Sequence, residues 1–275
     1  MLIDRGGVPI FALEAGAGEP ALVLVHGNAA DHTVWHRQIA RFSRERRVVA
    51  VDLRGHGRSG KDPERRYTQD TFVGDVTATL DVLGIRSAIL VGWSMGGSVV
   101  ARIAGERPDL VTAVVLVDNN LAAASAELGL DLGPYAPELL FRGLAEDFAG
   151  RGLRAFVDAW FPESGPEIDF LKEWLWHIGM QASREVVVGI RTVGMKEDRS
   201  EWFRRLAVPT LVLQGGASRL GGRRVGEHLA RLIPGAELHV FDGHGQALIL
   251  TAPEEFDRVL GDFVARVAVG RAGSK

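Results

Sequence analysis

Five short runs of apolar residues constrain the fold of this chain more than any other feature of its sequence. They are Ala21–Val25, Val48–Val51, Ala88–Val91, Val114–Val117 and Thr210–Leu213. Because polar residues do not alternate with the apolar ones, each run is typical of a strand that is covered on both faces, as in a parallel sheet. Segments with helical spacing, such as Phe72–Leu83, lie between the runs. The alternation of strand and helix predicts an α/β fold with a mostly parallel, doubly covered sheet.

The alternation stops in the middle of the chain, which contains helix-like segments and no convincing strand. These segments are Pro137–Ala149, Leu153–Trp160, Glu167–Ile178 and Arg184–Met195. This part also holds 10 of the 18 Phe and Trp residues of the chain. This enrichment indicates that the segments pack against an apolar partner. We therefore expect an α/β core formed by residues 1–120 and 207–275. An all-helical cap, residues 121–206, is expected to be inserted after the strand that ends near Asp118.

The composition narrows the class of protein. A net charge of -3, from 32 basic and 35 acidic residues, provides no field that would attract nucleic acid or an anionic membrane. The absence of cysteine excludes disulfides, thiolate metal sites and a cysteine nucleophile. The chain begins with a short polar segment, and no apolar run approaches the length of a membrane span. We expect a cytoplasmic protein that acts on a small molecule, with its oligomeric state open.

The pentapeptide Gly92–Gly96, Gly-Trp-Ser-Met-Gly, connects an apolar run to the helix-compatible segment Gly97–Glu106. A strand that turns sharply into a helix forces the central residue into unfavourable backbone angles. It also leaves no room for side chains at the flanking positions, which favours glycine there. Such an elbow exposes the hydroxyl group of Ser94, which is therefore the candidate nucleophile. The alternative is a purely structural turn, since the pattern also arises by chance in glycine-rich chains.

A serine hydroxyl is a poor nucleophile at neutral pH, so Ser94 needs a base within hydrogen-bonding distance and a third group that orients the base. Histidine is the expected base, and the chain contains 8. Most of them lie on predicted helices or in turns directly after strands. His244 instead lies in the glycine-flanked segment Phe241–Gly245, between a short strand and the last helix, near Pro253–Ala265. We predict that His244 is the base.

The order of these motifs resembles that of the α/β-hydrolase superfamily over essentially the whole chain. The motifs are His-Gly-Asn at 26–28, Asp-Leu-Arg-Gly-His-Gly-Arg-Ser-Gly at 52–60, the elbow at Ser94 and the late Gly243–His244 pair. Within the superfamily, the elbow and the helical insert are similar to small serine carboxylesterases of the pimeloyl-carrier methyl ester esterase type and to cofactor-free haloperoxidase-like proteins. The resemblance implies the α/β-hydrolase fold and a reaction that uses no metal and no cofactor.

The resemblance also indicates where to look for the acid that orients the histidine, and there the sequence departs from the family pattern. Most members carry Gly-x-x-Asp after the penultimate core strand, whereas this chain reads Gly-Gly-Ala-Ser at Gly215–Ser218. The nearest substitute is Asp118, which follows an apolar run. The order Ser94, Asp118, His244 then matches the nucleophile, acid, base order of the fold. Alternatively, Asp118 forms a turn or caps a helix, and His244 is held by a backbone carbonyl or by Ser218.

Two backbone N–H groups are expected to stabilise the oxygen that becomes negative during acyl transfer. Met95 begins the helix after the elbow, where free N–H groups and the positive end of the helix dipole favour an anion. The resemblance assigns the second N–H group to Asn28, although its Gly-Asn segment could be an ordinary turn.

Aromatic residues at the elbow and in the predicted cap are candidates for lining a substrate cavity above Ser94. They are Trp93, Trp160, Phe161 and Trp174, with Trp176 as a further possibility. The alternative is that these side chains only hold the small helices to one another and to the sheet.

The leading hypothesis is a metal-independent serine hydrolase that cleaves a small apolar carboxylic ester, thioester or lactone through an acyl-enzyme. Two alternatives stay open. In the first, a cofactor-independent lyase, cyclase or oxygenase uses His244 as a base while Ser94 only positions the substrate. In the second, the chain is a non-catalytic binding protein built on the same scaffold.

Overall fold

One eight-stranded sheet forms the centre of the molecule. The computed structural model describes residues 1–119, 128–194 and 200–272, and for residues 190–194 and 270–272 it describes the backbone alone. The strands are β1 (Leu2–Asp4), β2 (Pro9–Ala15), β3 (Ala21–Val25), β4 (Val48–Val51), β5 (Ala88–Trp93), β6 (Val111–Val117), β7 (Thr210–Gly215) and β8 (Glu237–Phe241). Their order in the sheet is β1-β2-β4-β3-β5-β6-β7-β8.

The central part of the sheet is parallel. Every neighbouring pair from β4 to β8 in this order is parallel, whereas β1 and β2 pair antiparallel at one edge. All residues of β3 to β7 are buried, so both faces of these strands are covered. The five apolar runs thus form the five central strands, and the predicted α/β-hydrolase sheet is confirmed.

Helices fill the connections between the strands. They are α1 (His36–Phe42), α2 (Gln69–Val82), α3 (Met95–Glu106), α4 (Pro137–Glu146), α5 (Leu153–Asp158), α6 (Pro166–Gln181), α7 (Arg184–Gly194), α8 (Ser200–Arg204), α9 (Gly222–Leu232), α10 (Leu248–Thr251) and α11 (Pro253–Ala272). Helix α3 packs on β5 and β6, and α9 packs on β7 and β8. In the described part of the chain no helix has the length and apolar composition needed to span a membrane.

The helical insert, defined here as residues 128–194 and 200–204, lies between β6 and β7. Its described residues form helices α4 to α8 and contain no strand. Local signals explain where α6 begins: Gly165 adopts a φ of 121°, and Pro166 occupies the first helical position, where its missing N–H is not needed. The division into core and cap stays a prediction. The proposed start of the cap at residue 121 lies outside the described residues, as do Asn120 and Met195.

The parallel strands end at one edge of the sheet, and this edge carries the predicted site. Trp93 at the end of β5 pairs with Val117 at the end of β6, and Val117 pairs with Leu213 in β7. Gly215 at the end of β7 pairs with Phe241 at the end of β8. The segments that follow these strands therefore meet, although they lie far apart in the sequence.

Candidate active site

Ser94 occupies a strained elbow between β5 and α3. Its backbone has a φ of 52° and a ψ of -118°, a combination that residues with a Cβ rarely adopt. Two hydrogen bonds hold it there: Ser94 N donates to Val117 O at 2.8 Å, and Gly97 N donates to Ser94 O at 2.9 Å. The side chain of Asn119 also donates to Ser94 O. Strain of this kind persists only where the surroundings fix it, and it concentrates at functional sites.

The glycines of the elbow allow close approach, as the sequence predicts. A Cβ at Gly92 would lie 2.4 Å from Gly96 O, and a Cβ at Gly96 would lie 2.4 Å from Val25 O. The segment after β3 also touches the elbow, because a Cβ at Gly27 would lie 3.1 Å from the Cβ of Ser94. Ser94 itself is only partly buried. The elbow therefore presents its hydroxyl at the carboxyl edge of the sheet.

The hydroxyl group of Ser94 is hydrogen-bonded to Gln246. The Nε2 of Gln246 donates to Ser94 Oγ at 2.9 Å, and the side chain of Gln246 is almost completely buried. Trp93 Nε1 donates to the backbone oxygen of Gln246 at 2.9 Å, which fixes this residue against the strand that carries the elbow. Gln246 Oε1 is buried and has no hydrogen-bond partner among the described residues. Gln246 could not be predicted from its chemistry, because a neutral amide side chain is not a candidate base.

His244, the predicted base, is hydrogen-bonded to other residues. Its Nδ1 lies 3.2 Å from Glu163 Oε1 and 3.0 Å from Thr251 Oγ1. The same Glu163 oxygen accepts a hydrogen bond from Gly245 N at 3.1 Å. His244 thereby lines a cleft of about 390 Å³ between the α5–α6 connection and α10, and Ser94 is not one of the residues that line this cleft. In the described residues no hydrogen bond joins His244 to Ser94.

Asp118, the predicted acid, is fully buried and is bonded to β7 and the segment after it. Its Oδ2 accepts from Gln214 Nε2 at 2.9 Å and from Gly215 N at 3.0 Å, and its Oδ1 accepts from Ser218 Oγ at 3.1 Å. Burial raises the pKa of Asp118 to about 7, and the three hydrogen bonds only partly oppose this rise. The predicted hydrogen bond to His244 is not found among the described residues. Asp118 instead pairs with Ser218, the residue at the position that usually carries the acid.

Of the two predicted oxyanion donors, Met95 belongs to the elbow and Asn28 to the segment after β3. Met95 is the first residue of α3, so its N–H has no acceptor within the helix. Asn28 is buried, and its side chain is hydrogen-bonded within the protein. Its Nδ2 donates to Val187 O in α7 at 2.9 Å, and its Oδ1 accepts from Ala29 N at 3.0 Å. The side chain of Asn28 thus connects this segment to the insert, and the role of its backbone N–H stays a prediction.

The predicted aromatic residues fall into two groups. Trp93 and Trp160 are almost fully buried and pack edge to face, with their ring centroids 5.2 Å apart. Phe161 is also fully buried. Trp174 is partly exposed and meets His36 edge to face at 5.8 Å. Trp160 and Phe161 thus belong to the hydrophobic core that the insert shares with the sheet, and their contact with substrate stays a prediction.

One buried cluster has the composition of a metal site. The side chains of Asp31, His32 and Asp52 place potential ligand atoms within 4.8 Å of one another. These atoms already bind protein groups: Asp52 Oδ1 lies 2.9 Å from His32 Nδ1, and Asp31 Oδ1 accepts from Thr33 N at 2.8 Å. Burial alone would lower the pKa of His32, but its hydrogen bond to Asp52 raises the value overall. We interpret the cluster as a connection between the segments after β3 and β4.

This combination of a parallel sheet, a strained serine elbow and a helical insert defines an α/β hydrolase. The sequence pattern of the alpha/beta hydrolase fold family matches residues 20–165, and the chain belongs to this family. Individual relatives also confirm the expected resemblance to esterases and haloperoxidases.

A non-heme chloroperoxidase of Kitasatospora aureofaciens is 30% identical over 275 residues, which cover 94% of this chain and 97% of the relative. A pimeloyl-[acyl-carrier protein] methyl ester esterase of Vibrio vulnificus is 25% identical over 249 residues, 90% of this chain and 95% of the relative. Among solved structures, an esterase from Exiguobacterium antarcticum superposes with a TM-score of 0.85 at 23% identity, covering 94% of this chain and 96% of the esterase. At this identity the superposition supports the fold alone.

Proposed function

We propose that this protein cleaves a small apolar carboxylic ester, thioester or lactone by transferring the acyl group to Ser94. The observation that carries the proposal is the strained, partly exposed elbow, with Ser94 at a φ of 52°. A backbone conformation this unfavourable is expected where it directs a nucleophilic hydroxyl group at a bound carbonyl group. The name of the Vibrio vulnificus relative, a methyl ester esterase, agrees with such a substrate.

The reaction is an acyl transfer in two steps. In the first, Ser94 Oγ forms a bond to the carbonyl carbon, and the bond from this carbon to the leaving oxygen or sulfur breaks. The backbone N–H groups of Met95 and Asn28 stabilise the negative oxygen of the tetrahedral intermediate. The proton of the Ser94 hydroxyl ends on the leaving group. In the second step, water releases the acid and Ser94 regains a proton.

The proton transfers are expected to be the slow steps of the proposed reaction. The amide nitrogen of Gln246 donates to Ser94 Oγ and has no lone pair that could take a proton. His244 as the base stays a prediction: Glu163 and Thr251 contact its Nδ1, and in the described residues no hydrogen bond joins its ring to Ser94. A serine site without a complete triad still keeps roughly 10³–10⁴-fold catalysis over water, from binding and oxyanion stabilisation. We therefore propose a hydrolase with low turnover.

Fluorophosphonate labelling combined with a panel of p-nitrophenyl esters and lactones tests the proposal. We expect stoichiometric labelling of Ser94, slow ester hydrolysis, and loss of both in Ser94→Ala. The variant His244→Ala should lower hydrolysis far less than Ser94→Ala does. A folded protein whose Ser94 does not react with the probe would refute the proposal, and equal losses in the two variants would restore His244 as the base.

The bond from Gln246 to Ser94 also favours a second function, non-covalent binding of a carbonyl compound. When Ser94 Oγ accepts from Gln246, its own O–H is directed elsewhere and can donate to a ligand oxygen. Calorimetric binding of an ester or lactone to a protein that neither hydrolyses it nor reacts with fluorophosphonate would support this function. A lyase that uses Ser94 and His244 on one substrate is less favoured, because Ser94 is not among the residues that line the cleft at His244.

A further inference from the structure

Gln246 is positioned to control what happens to an acyl group on Ser94. It is the one side chain that hydrogen-bonds the Ser94 hydroxyl in the part of the chain that the structure describes. Its own position is fixed, because its side chain is buried and its backbone oxygen accepts from Trp93 Nε1 at 2.9 Å. The backbone of Gln246 is therefore held beside the strand that carries Ser94, and its amide reaches the hydroxyl group from a buried position.

The chemistry of an amide affects the two steps of acyl transfer differently. With an activated ester, the leaving group departs readily and takes up the proton that Ser94 loses, so acylation can proceed without a base. Release consumes one water molecule: its oxygen bonds to the acyl carbon, the bond from this carbon to Ser94 Oγ breaks, and one water proton ends on Oγ. This step needs a group that takes a proton from water and passes it on, and a neutral glutamine does neither.

We infer that Gln246 makes Ser94 an acyl-holding residue, on which an acyl group from an ester or thioester stays because its hydrolysis is slow. This inference rests on the proposed function, since Ser94 must first be acylated. It also specifies the substrate class, because esters and thioesters with good leaving groups acylate Ser94 most readily. A basic side chain at position 246 should convert the same site into one that turns over.

The variants Gln246→His and Gln246→Glu test the inference, because each places a proton acceptor where the amide lies. Gln181→His is the matched control: it makes the same replacement on the exposed last residue of α6. General base catalysis contributes roughly 10²–10⁴-fold, so we expect both variants at position 246 to release the acyl group about 100-fold faster or more. The control should release it at the wild-type rate.

The measurement uses p-nitrophenyl butyrate with the full chain. In wild type we expect a burst of about one equivalent of p-nitrophenolate per Ser94, then a slow steady state, and a butyryl adduct on Ser94 that persists in intact-protein mass spectra. In the two variants the adduct should disappear faster and the steady state should rise. Thermal melts establish that each variant is folded.

The outcomes separate the inference from the proposed function. If fluorophosphonate labels Ser94 but wild type shows no burst and no lasting adduct, the inference is overturned and the proposed function stands. If Ser94 reacts with neither reagent, both are overturned. Folded variants that release butyrate at the wild-type rate also overturn the inference. The wild-type adduct lifetime tests it even if both variants fail to fold.

Discussion

Burial of Asp118 should make the stability of this protein depend on pH, and Asp118→Asn should remove that dependence. The carboxyl group is fully buried, and burial raises its pKa from 3.8 to about 7. Between these values the folded protein holds a proton that the unfolded chain has released. The stability contributed by this proton is therefore fully present below about pH 4 and is lost as the pH rises to about 7.

The size of the effect follows from the gap between the two pKa values. One pKa unit corresponds to about 1.4 kcal/mol, so a gap of roughly three units changes the free energy of unfolding by on the order of 4 kcal/mol. Other groups act in the same pH range. Burial lowers the pKa of His56 from 6.5 to about 3, and this makes the protein more stable as the pH rises towards 6.5. The effect of Asp118 must therefore be measured as a difference between variants.

Urea unfolding of wild type and Asp118→Asn at a series of pH values between about 4.5 and 8 provides this difference. Asparagine cannot ionise, so we expect wild type to lose several kcal/mol relative to the variant across this range. Asp169→Asn, which alters an exposed carboxylate on α6, is the control and should give a curve parallel to that of wild type. Parallel curves of unfolding free energy against pH for wild type and Asp118→Asn would refute the conclusion that this buried carboxyl group is protonated in the folded protein.

Three further predictions concern the elbow and the substrate. Ser94→Ala should abolish fluorophosphonate labelling and ester hydrolysis while leaving the fold intact, because it removes one oxygen and no core packing. Gly96→Ala should destabilise the protein by about 1–3 kcal/mol in urea unfolding, since its Cβ would lie 2.4 Å from Val25 O. Gly105→Ala in the same helix meets nothing within 4 Å and should stabilise it by about 0.5–1 kcal/mol. If the aromatic residues line an apolar cavity, each added acyl methylene should raise kcat/KM by up to about fourfold, equivalent to about 0.8 kcal/mol, whereas a flat profile would indicate a closed cavity.

The central strands and the elbow could be predicted correctly because residues close together in the sequence determine most of their structure. Uninterrupted apolar runs that alternate with segments of helical spacing are typical of strands buried on both faces, which is why β3 to β7 could be predicted. The elbow is equally local, because the steric limits at Gly92 and Gly96 come from the turn itself and from the adjacent strand β3. Neither feature depends on how the insert packs.

The pairing of Asp118 with Ser218 could have been predicted from topology. Asp118 follows β6, Ser218 follows β7, and neighbouring parallel strands end at the same edge of the sheet. The two residues therefore need not be alternatives for one role, since this arrangement also allows them to contact each other. A buried carboxylate needs hydrogen-bond donors, and Gly215 N with the Ser218 hydroxyl supplies two of them.

The partners of Ser94 and His244 could not be predicted from local sequence, because packing of the insert decides them. His244 and Gln246 lie two residues apart in one connection, and either could have faced the elbow. Residues of the insert fix the choice: Glu163 binds both His244 Nδ1 and Gly245 N, and a Cβ at Gly245 would lie only 2.2 Å from Pro162. These contacts join segments about 80 residues apart, and a pattern along the chain does not encode them. The insert therefore determines which side chain hydrogen-bonds the Ser94 hydroxyl.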